Sequence, residues 1–389
     1  MYKRVLESTL KADFRKYPIV TVVGPRQSGK TTLVREAFGN FKYTNLEDPA
    51  EREFAKSDPR GFLKKYDQSV IIDEIQRVPE LTSYIQVLVD ERKSNGQFVL
   101  TGSQNFSIRE ALSQTLSGRT SILTLLPFSM DELKLSQDKT DWIYKGFYPR
   151  IYDSKLNPTR ALSDYVSTYV ERDLRQITAV KDLAVFQTFI KTCATNIGQI
   201  INLENIGNEC GISQTTAREW LSILEASFII FRLQPYHVNI RKRLIKRPKL
   251  YFYDVGLASY LLGIESKEHV DSHPLRGSLF ENMVIVEIMK YRLNRHQPLN
   301  FNFYRDSDDN EIDLFVNISQ YTVPIEIKYS STISEEFTRA FRIADKLFKE
   351  QPYGKILVYG GDKRESRSPN IEIVPFNEIS PLLEKKFSK

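Results

Sequence analysis

Gly24-Pro25-Arg26-Gln27-Ser28-Gly29-Lys30-Thr31, preceded by the apolar run Ile19-Val20-Thr21-Val22-Val23, decides the fold. The spacing Gly-x-x-x-x-Gly-Lys-Thr is that of a phosphate-cradling loop between a buried strand and a helix. Thr32, Leu33 and Val34 continue into that helix. Gly24 and Gly29 let the backbone curl, so that amide N–H groups and the helix N-terminus face negative charge. The segment from Gly24 to Thr32 is therefore the expected binding element for a nucleoside triphosphate, ATP or GTP. Lys30 is expected to reach the β- and γ-phosphates and the Thr31 hydroxyl to ligate Mg²⁺.

Such a site needs a second hold on the metal and a group that activates water. Val70-Ile71-Ile72-Asp73-Glu74 ends an apolar strand in two carboxylates. Asp73 is expected in the Mg²⁺ shell, with Glu74 polarising the attacking water. A third strand-like run, Phe98-Val99-Leu100-Thr101-Gly102-Ser103, makes Ser103 the candidate γ-phosphate sensor. Arg119, in Leu116-Ser117-Gly118-Arg119-Thr120, is the candidate charge-stabilising arginine, in cis or from a neighbouring subunit.

Composition fits a folded, multidomain chain. At 389 residues, 41% hydrophobic and 27% charged, it has room for two or three cores. No apolar run approaches bilayer-spanning length, and Met1-Tyr2-Lys3-Arg4-Val5-Leu6-Glu7 lacks the pattern of a secretory signal. A cytoplasmic protein with no membrane partner is expected. Two cysteines, Cys193 and Cys210, exclude a disulfide framework and lack zinc-site spacing. A net charge of +6 is mild for a nucleic-acid binder, so where the charge lies matters more than its total.

Strand-like and helical runs alternate to about residue 126, as in a parallel sheet flanked by helices. Residues 127–182 turn helical and are expected to form a lid or linker, with the cluster Glu171-Arg172-Asp173-Leu174-Arg175 reading as an ion-paired surface. In 183–255, Asn202 and Ser213 are candidate caps of two helices separated by Gly211. The second helix turns Ala217, Trp220, Leu221 and Leu224 inward and leaves Gln214, Thr215 and Arg218 outward. Two β-rich runs follow, Phe228–Phe231 and Leu250–Tyr253, around a loop holding Arg241, Lys242, Arg243, Lys246, Arg247 and Lys249. This is a winged helix-turn-helix pattern, and its basic residues suit DNA phosphates.

Residues 256–389 carry a second constellation. Strand alternation in Val323-Pro324-Ile325-Glu326-Ile327-Lys328 puts Glu326 and Lys328 on one face. Asp313 lies in the preceding strand-like run and Glu281 at the start of a helical one. Asp313 and Glu326 are candidate ligands of one or two Mg²⁺ ions at a phosphodiester, Glu281 completes the shell, and Lys328 orients water or stabilises charge. The competing reading is an exposed Glu/Lys strand face that serves solubility.

Together with Ile72-Asp73-Glu74-Ile75-Gln76, Leu100–Ser103, Leu116–Arg119, Lys249-Leu250-Tyr251-Phe252-Tyr253-Asp254-Val255-Gly256-Leu257 and Gly277-Ser278-Leu279-Phe280-Glu281, these motifs run in a diagnostic order. The chain resembles, over nearly its whole length, bacterial and archaeal AAA+ ATPases that carry a C-terminal DUF4143-type domain. That resemblance implies ATP rather than GTP, an AAA+ core over 1–126, a winged helix, and a restriction-endonuclease-like α/β domain. It places Glu281, Asp313, Glu326 and Lys328 at the nuclease motif positions, with Ile312 where that motif often has proline. It also suggests a homo-oligomer, while no protein partner is legible. The expected fold class is thus α/β, and the expected activity is Mg²⁺-dependent ATP hydrolysis coupled to DNA, with a possible metal-dependent nuclease domain. Two alternatives stand beside it: an ATP-switched docking module with an inactive nuclease-like domain, and a sequence-specific transcription regulator.

Overall fold

Five parallel strands carry the phosphate loop. They are β1 (Ile19–Val23), β2 (Lys42–Asn45), β3 (Val70–Asp73), β4 (Phe98–Gly102) and β5 (Thr120–Thr124), in the order β2-β3-β4-β1-β5. The computed structural model describes residues 2–66, 69–103, 115–135, 138–170, 182–236, 247–306, 310–318, 321–348, 354–368 and 370–387. Every residue of β1 is buried, as a central parallel strand covered on both faces requires. Ile19 and Val23 join the large core, whereas Val20 and Val22 pack with Leu6, Leu10, Leu33 and Val34 under helix Leu6–Phe14. Because all five strands run one way, their carboxyl ends share one edge, where open parallel sheets bind ligands.

After Leu126 come short helices, Met130–Leu133, Lys139–Lys145, Pro149–Asp153 and Pro158–Tyr165, then a π-helical turn, Val166–Val170. Their brevity is offset by caps: Ser129 and Glu132 form a reciprocal capping box, and Asp138 and Asn157 accept from backbone N–H groups three residues on. The charged run Glu171 to Arg175 lies outside the described residues.

Helices Leu183–Thr195, Leu203–Cys210 and Gln214–Ala226 follow. The Asn202 side chain caps the second of these through the Asn205 N–H, and Gly211 ends it at φ +67°. Ser213 caps the third through the Thr216 N–H at 3.1 Å. Phe228 takes a left-handed φ of +57° after that helix. The ribbon therefore starts two residues later than the apolar run suggests: β6 (Ile230–Leu233) pairs antiparallel with β7 (Lys249–Phe252).

The third unit is a six-stranded mixed sheet. Strands β8 (Phe301–Arg305), β9 (Glu311–Ile318) and β10 (Tyr321–Lys328) form an antiparallel meander. Helix Phe341–Leu347 then leads to β11 (Lys355–Tyr359), parallel to β10. With β12 (Glu365–Arg367) and β13 (Ile371–Pro375), the order is β12-β13-β11-β10-β9-β8. Helix Arg276–Leu293 packs on β10, and its Asn282 side chain pairs with both backbone groups of Phe252, accepting at 2.7 Å and donating at 3.0 Å. That amide joins the ribbon to the third unit. No described helix is long and apolar enough to cross a membrane.

Gly146 and Gly256 meet backbone to backbone. A Cβ on Gly146, at φ +64°, would lie 2.2 Å from Asp254 Oδ1 and 2.8 Å from the Gly256 Cα. Gly146→Ala is expected to cost about 1–3 kcal/mol from backbone strain and the clash combined, read as a lowered midpoint in urea unfolding.

Candidate functional site

The loop between β1 and helix Lys30–Ala37 has the geometry that its glycines allow. Gly24, at φ +152°, passes so close to the next strand's continuation that a Cβ there would lie 2.1 Å from the Leu125 carbonyl oxygen. Gly29, at φ +90°, turns the chain into the helix. Lys30 is 5% exposed, and its Nζ donates to the Gly24 and Pro25 carbonyls at 3.1 and 2.8 Å. Gln27 also takes a left-handed φ, of +59°, while Arg26 faces Glu47 at 3.9 Å. The Ser28 hydroxyl is buried with no hydrogen-bond partner among the described residues, an orphaned group that a ligand oxygen would satisfy.

Asp73 at the end of β3 collects three hydroxyls. Thr31 Oγ1 donates to Asp73 Oδ2 at 2.7 Å, Tyr43 OH to the same oxygen at 2.8 Å, and Thr101 Oγ1 to Oδ1. A hydroxyl and a carboxylate in direct contact beside a phosphate loop fit the two protein ligands that Mg²⁺ takes when it keeps its other positions for water and phosphate. Tyr43 was not singled out by the sequence reading, although its place on β2, beside Asp73's strand, is what brings it there. Burial, then the Asp73 charge and hydrogen bond, push its phenol well above the usual tyrosine range.

Glu74 leaves β3 in a left-handed conformation, φ +58°. Its Oε2 accepts from Ser103 Oγ at 3.2 Å and from Gln76 Nε2, and Gln76 Nε2 also lies 3.1 Å from Ser103 Oγ. Ser103 and Glu74, read from separate motifs, are thus direct neighbours, and Gln76 bridges them. Thr32 sits in the first turn of the helix. Arg119 is elsewhere. Its carbonyl accepts from Ile19 N at 3.2 Å, at the amino end of β1, a strand's length of about 13 Å from the loop. Its guanidinium forms a two-pronged pair with Asp90 at 2.6 and 2.8 Å. A role in cis at its own chain's loop is corrected by that placement.

A cleft of about 580 Å³ opens beside Gln27. Arg150, Lys155 and Arg160, on and between helices Pro149–Asp153 and Pro158–Tyr165, line it with Tyr148 and Tyr165. Its size suits a nucleoside, and three basic side chains suit its phosphates. The sequence reading missed these residues because no motif marks them; only the docking of the short helices against the loop does.

The second constellation gathers where the ribbon, helix Arg276–Leu293 and strands β9 and β10 meet. One carboxylate oxygen each from Glu281, Glu311 and Asp313 lies within 4.8 Å of the others. Glu281 and Asp313 are therefore brought together as read, and Glu311 is the third member of that group. It was missed, yet Glu311-x-Asp313 on one strand is the alternation that puts both on one face. Glu326 adjoins Asp313 rather than completing the triad: its Oε1 accepts from Asp313 N at 3.4 Å, and its Oε2 is 2.8 Å from Lys328 Nζ. Lys328 also reaches Asp313 Oδ2 at 3.3 Å. Glu326 is 2% exposed, which excludes the reading of a solvated strand face.

Burial pushes Glu281 up to about 7, with Asp313 adding to the rise and Lys249 opposing it. Burial and the Asp313 charge push Glu326 up to about 8 against the pull of Lys328. Although burial works against its charge, Asp313 and Glu326 hold the Lys328 ammonium above the usual lysine range. Carboxylate oxygens at this spacing fit a divalent ion of the Mg²⁺ or Mn²⁺ kind.

On the expected DNA face, Gln214, Thr215 and Arg218 are exposed on helix Gln214–Ala226, and Arg247 is exposed before β7. Arg241, Lys242, Arg243 and Lys246 lie outside the described residues.

Comparison with known proteins agrees with the nucleotide site. The AAA domain family matches residues 16–134, a domain of unknown function, DUF8612, matches 136–268, and a second, DUF4143, matches 276–379. An uncharacterized protein of Mycobacterium tuberculosis is 29% identical over 97% of this chain and 84% of its own. One from Haemophilus influenzae is 23% identical over 92% of each. Among solved structures, a Walker-type ATPase of Pyrococcus abyssi aligns with 67% of this chain and 96% of its own at 14% identity and TM-score 0.45. The Thermotoga maritima RuvB Holliday junction branch migration motor aligns with 58% and 87% at 20% identity and TM-score 0.31. The parallel sheet thus matches the AAA domain family and the carboxylate-bearing sheet the DUF4143 domain, in the domain order of AAA+ ATPases of the DUF4143 type.

Proposed function

We propose that the chain is a Mg²⁺-dependent ATPase that acts on DNA, with a winged helix for duplex contact and a restriction-endonuclease-like domain for metal-assisted phosphodiester chemistry. The observation that carries the ATPase part is the 2.7 Å contact of Thr31 with Asp73 beside the phosphate loop, with Glu74 one residue on. In this reading Lys30 holds the β- and γ-phosphates and Thr31 and Asp73 hold Mg²⁺, which neutralises charge on the phosphates. Glu74, steadied by Gln76 and Ser103, takes the proton of the attacking water. Arg119, out of reach of its own loop, has a part only at the loop of a neighbouring copy in a homo-oligomer.

The DNA part draws support from the outward Gln214, Thr215 and Arg218 and from the basic ribbon loop read in the sequence. The nuclease part draws on the meander β8–β9–β10 followed by a parallel β11, with carboxylates from a helix and two adjacent strands converging. Lys328 would stabilise the charge that develops on the cleaved phosphate.

Supercoiled plasmid and single-stranded DNA, each incubated with Mg²⁺ or Mn²⁺ with and without ATP, test this. Cleavage by the wild type that disappears in Asp313→Ala is the expected result, and its loss in Lys30→Ala shows that ATP gates it. Intact ATP turnover with no cleavage under any condition refutes the nuclease part and leaves an ATP-switched docking module.

A further inference from the structure

An ammonium already sits among the carboxylates of the second constellation. Lys249, the first residue of β7, has a side chain only 3% exposed. Its Nζ is 3.2 Å from Glu281 Oε1 and is ion-paired with Glu311 Oε1. The same Nζ rests 5.5 Å from the centroid of the Phe303 ring on β8. Two residues along β7, Tyr251 donates its hydroxyl to that same Glu281 oxygen. The groups that occupy Glu281 Oε1 therefore come from the ribbon and not from the sheet that carries Glu311 and Asp313.

The charges explain why this matters. Glu281, Glu311, Asp313 and Glu326 face Lys249, Lys328 and Arg305, whose Nη1 is 3.6 Å from Glu311 Oε2. Among the described residues, and with every group ionised, four carboxylates against three cations leave one negative charge, so a dication entering without the departure of a cation would leave a buried positive charge in its place. Geometry points the same way. An ammonium needs oxygens at about 3 Å, whereas Mg²⁺ draws them in to about 2.1 Å, so the two do not share one pair of oxygens.

We propose that Lys249 is a tethered counter-cation of this cluster: it holds the place of the divalent ion, and the ion enters only when the Lys249 ammonium leaves Glu281 and Glu311. The inference rests on the metal reading given above and adds its regulation. It makes the Lys249 side chain the gate, because its ammonium lies between the Glu281 and Glu311 oxygens that the ion would take.

Mn²⁺ titrated into the full chain without nucleotide or DNA, with free Mn²⁺ read by electron paramagnetic resonance, tests the gate. Wild type, Lys249→Met and Lys249→Gln are compared, each alone and with Asp313→Asn. Both Lys249 variants are expected to bind one more Mn²⁺ than the wild type holds, with affinity higher by about tenfold or more, because a like charge beside the ion is gone. Asp313→Asn is expected to remove that gain. If the wild type binds an Asp313-dependent ion as tightly as the variants, the gate is overturned and the metal site stands. If no variant binds an Asp313-dependent ion, the metal reading fails and the gate with it. Lys249→Gln keeps a donor for Glu281 and so covers the case in which the methionine variant misfolds.

Discussion

Lys30→Ala should leave the chain unable to bind ATP, whereas Glu74→Gln should bind ATP and fail to hydrolyse it. The two results separate binding from chemistry at one edge of the parallel sheet. Lys30 is buried, and its ammonium is held by the Gly24 and Pro25 carbonyls, so it is already aimed across the loop that wraps the phosphates. Removing it takes away the one side-chain cation of that loop's helix start and loosens the loop's own bonds, so affinity falls with turnover. Among the described residues, the Glu74 carboxylate faces Gln76 and Ser103 rather than the loop. Glutamine keeps its shape and loses only its capacity to accept a proton, a change that lowers general-base catalysis by about 10²–10⁴-fold. Calorimetric titration with ATP and phosphate release under saturating ATP check the pair. Unchanged ATP binding in Lys30→Ala would remove the nucleotide reading altogether.

The largest stability effect is expected where the AAA core meets helix Arg276–Leu293. Glu287 accepts from Met130 N at 2.9 Å and lies 3.6 Å from Lys290, whose Nζ donates to the Phe128 carbonyl at 2.7 Å and sits 3.7 Å from the centroid of the Phe147 ring. Both side chains are at most 2% exposed. A pair taken this far out of water adds little net stability, but removing one partner strands the other. Lys290→Met is expected to cost about 3–5 kcal/mol, and Glu287→Gln with Lys290→Met distinctly less than the single change. Urea unfolding of the wild type, the two single variants and the double variant measures this; a double variant as unstable as the sum of the singles would show that the pair is not coupled.

The pH dependence follows from Glu287. Burial first, against the pull of Lys290, raises its carboxyl from near 4.5 to about 7 in the folded state. A raised carboxyl contributes stability that is full below about pH 4.5 and is lost as pH climbs to the folded value. Without Lys290 that folded value rises further, so the Glu287 contribution stops falling near pH 7 in the wild type and goes on falling in Lys290→Met. The gap between them should therefore widen above pH 7.

What could be read from the sequence was whatever local chemistry fixes. The phosphate loop, the buried β1 and the two helix caps Asn202 and Ser213 each follow from a residue's own backbone or hydrogen-bonding preference within a few positions. Asp73, Glu74 and Ser103 were legible because parallel strands deliver their ends to a common edge. Partners supplied by docking were not legible. Tyr43 reaches Asp73 only because β2 lies beside β3, and Arg150, Lys155 and Arg160 reach the loop only because two short helices fold back on it. Arg119 shows the converse, for a motif-like setting said nothing about which end of the sheet it would occupy. Glu311 escaped because it shares a strand with a residue already chosen; Lys249, read as one of the loop's basic residues facing DNA, is instead the buried first residue of β7, paired with Glu281 32 residues on, because only docking between units brings the two together.

Arg4 carries a consequence for the timing of synthesis. Its guanidinium donates to the Ser28 carbonyl of the phosphate loop at 2.6 Å and to Leu126 at 2.7 Å, and it pairs with Glu132 at 3.1 Å. Segment 128–130, next to Glu132, is in turn pinned by Glu287 and Lys290. The brace on the loop is thus assembled from residues far apart in the sequence, Arg4 on one side and Glu287 and Lys290 on the other. A nascent chain that has exposed its whole parallel sheet to the ribosome exit still lacks the helix that steadies residues 128–130. Full affinity for nucleotide should then arrive only after residue 290 has emerged, well after the loop itself.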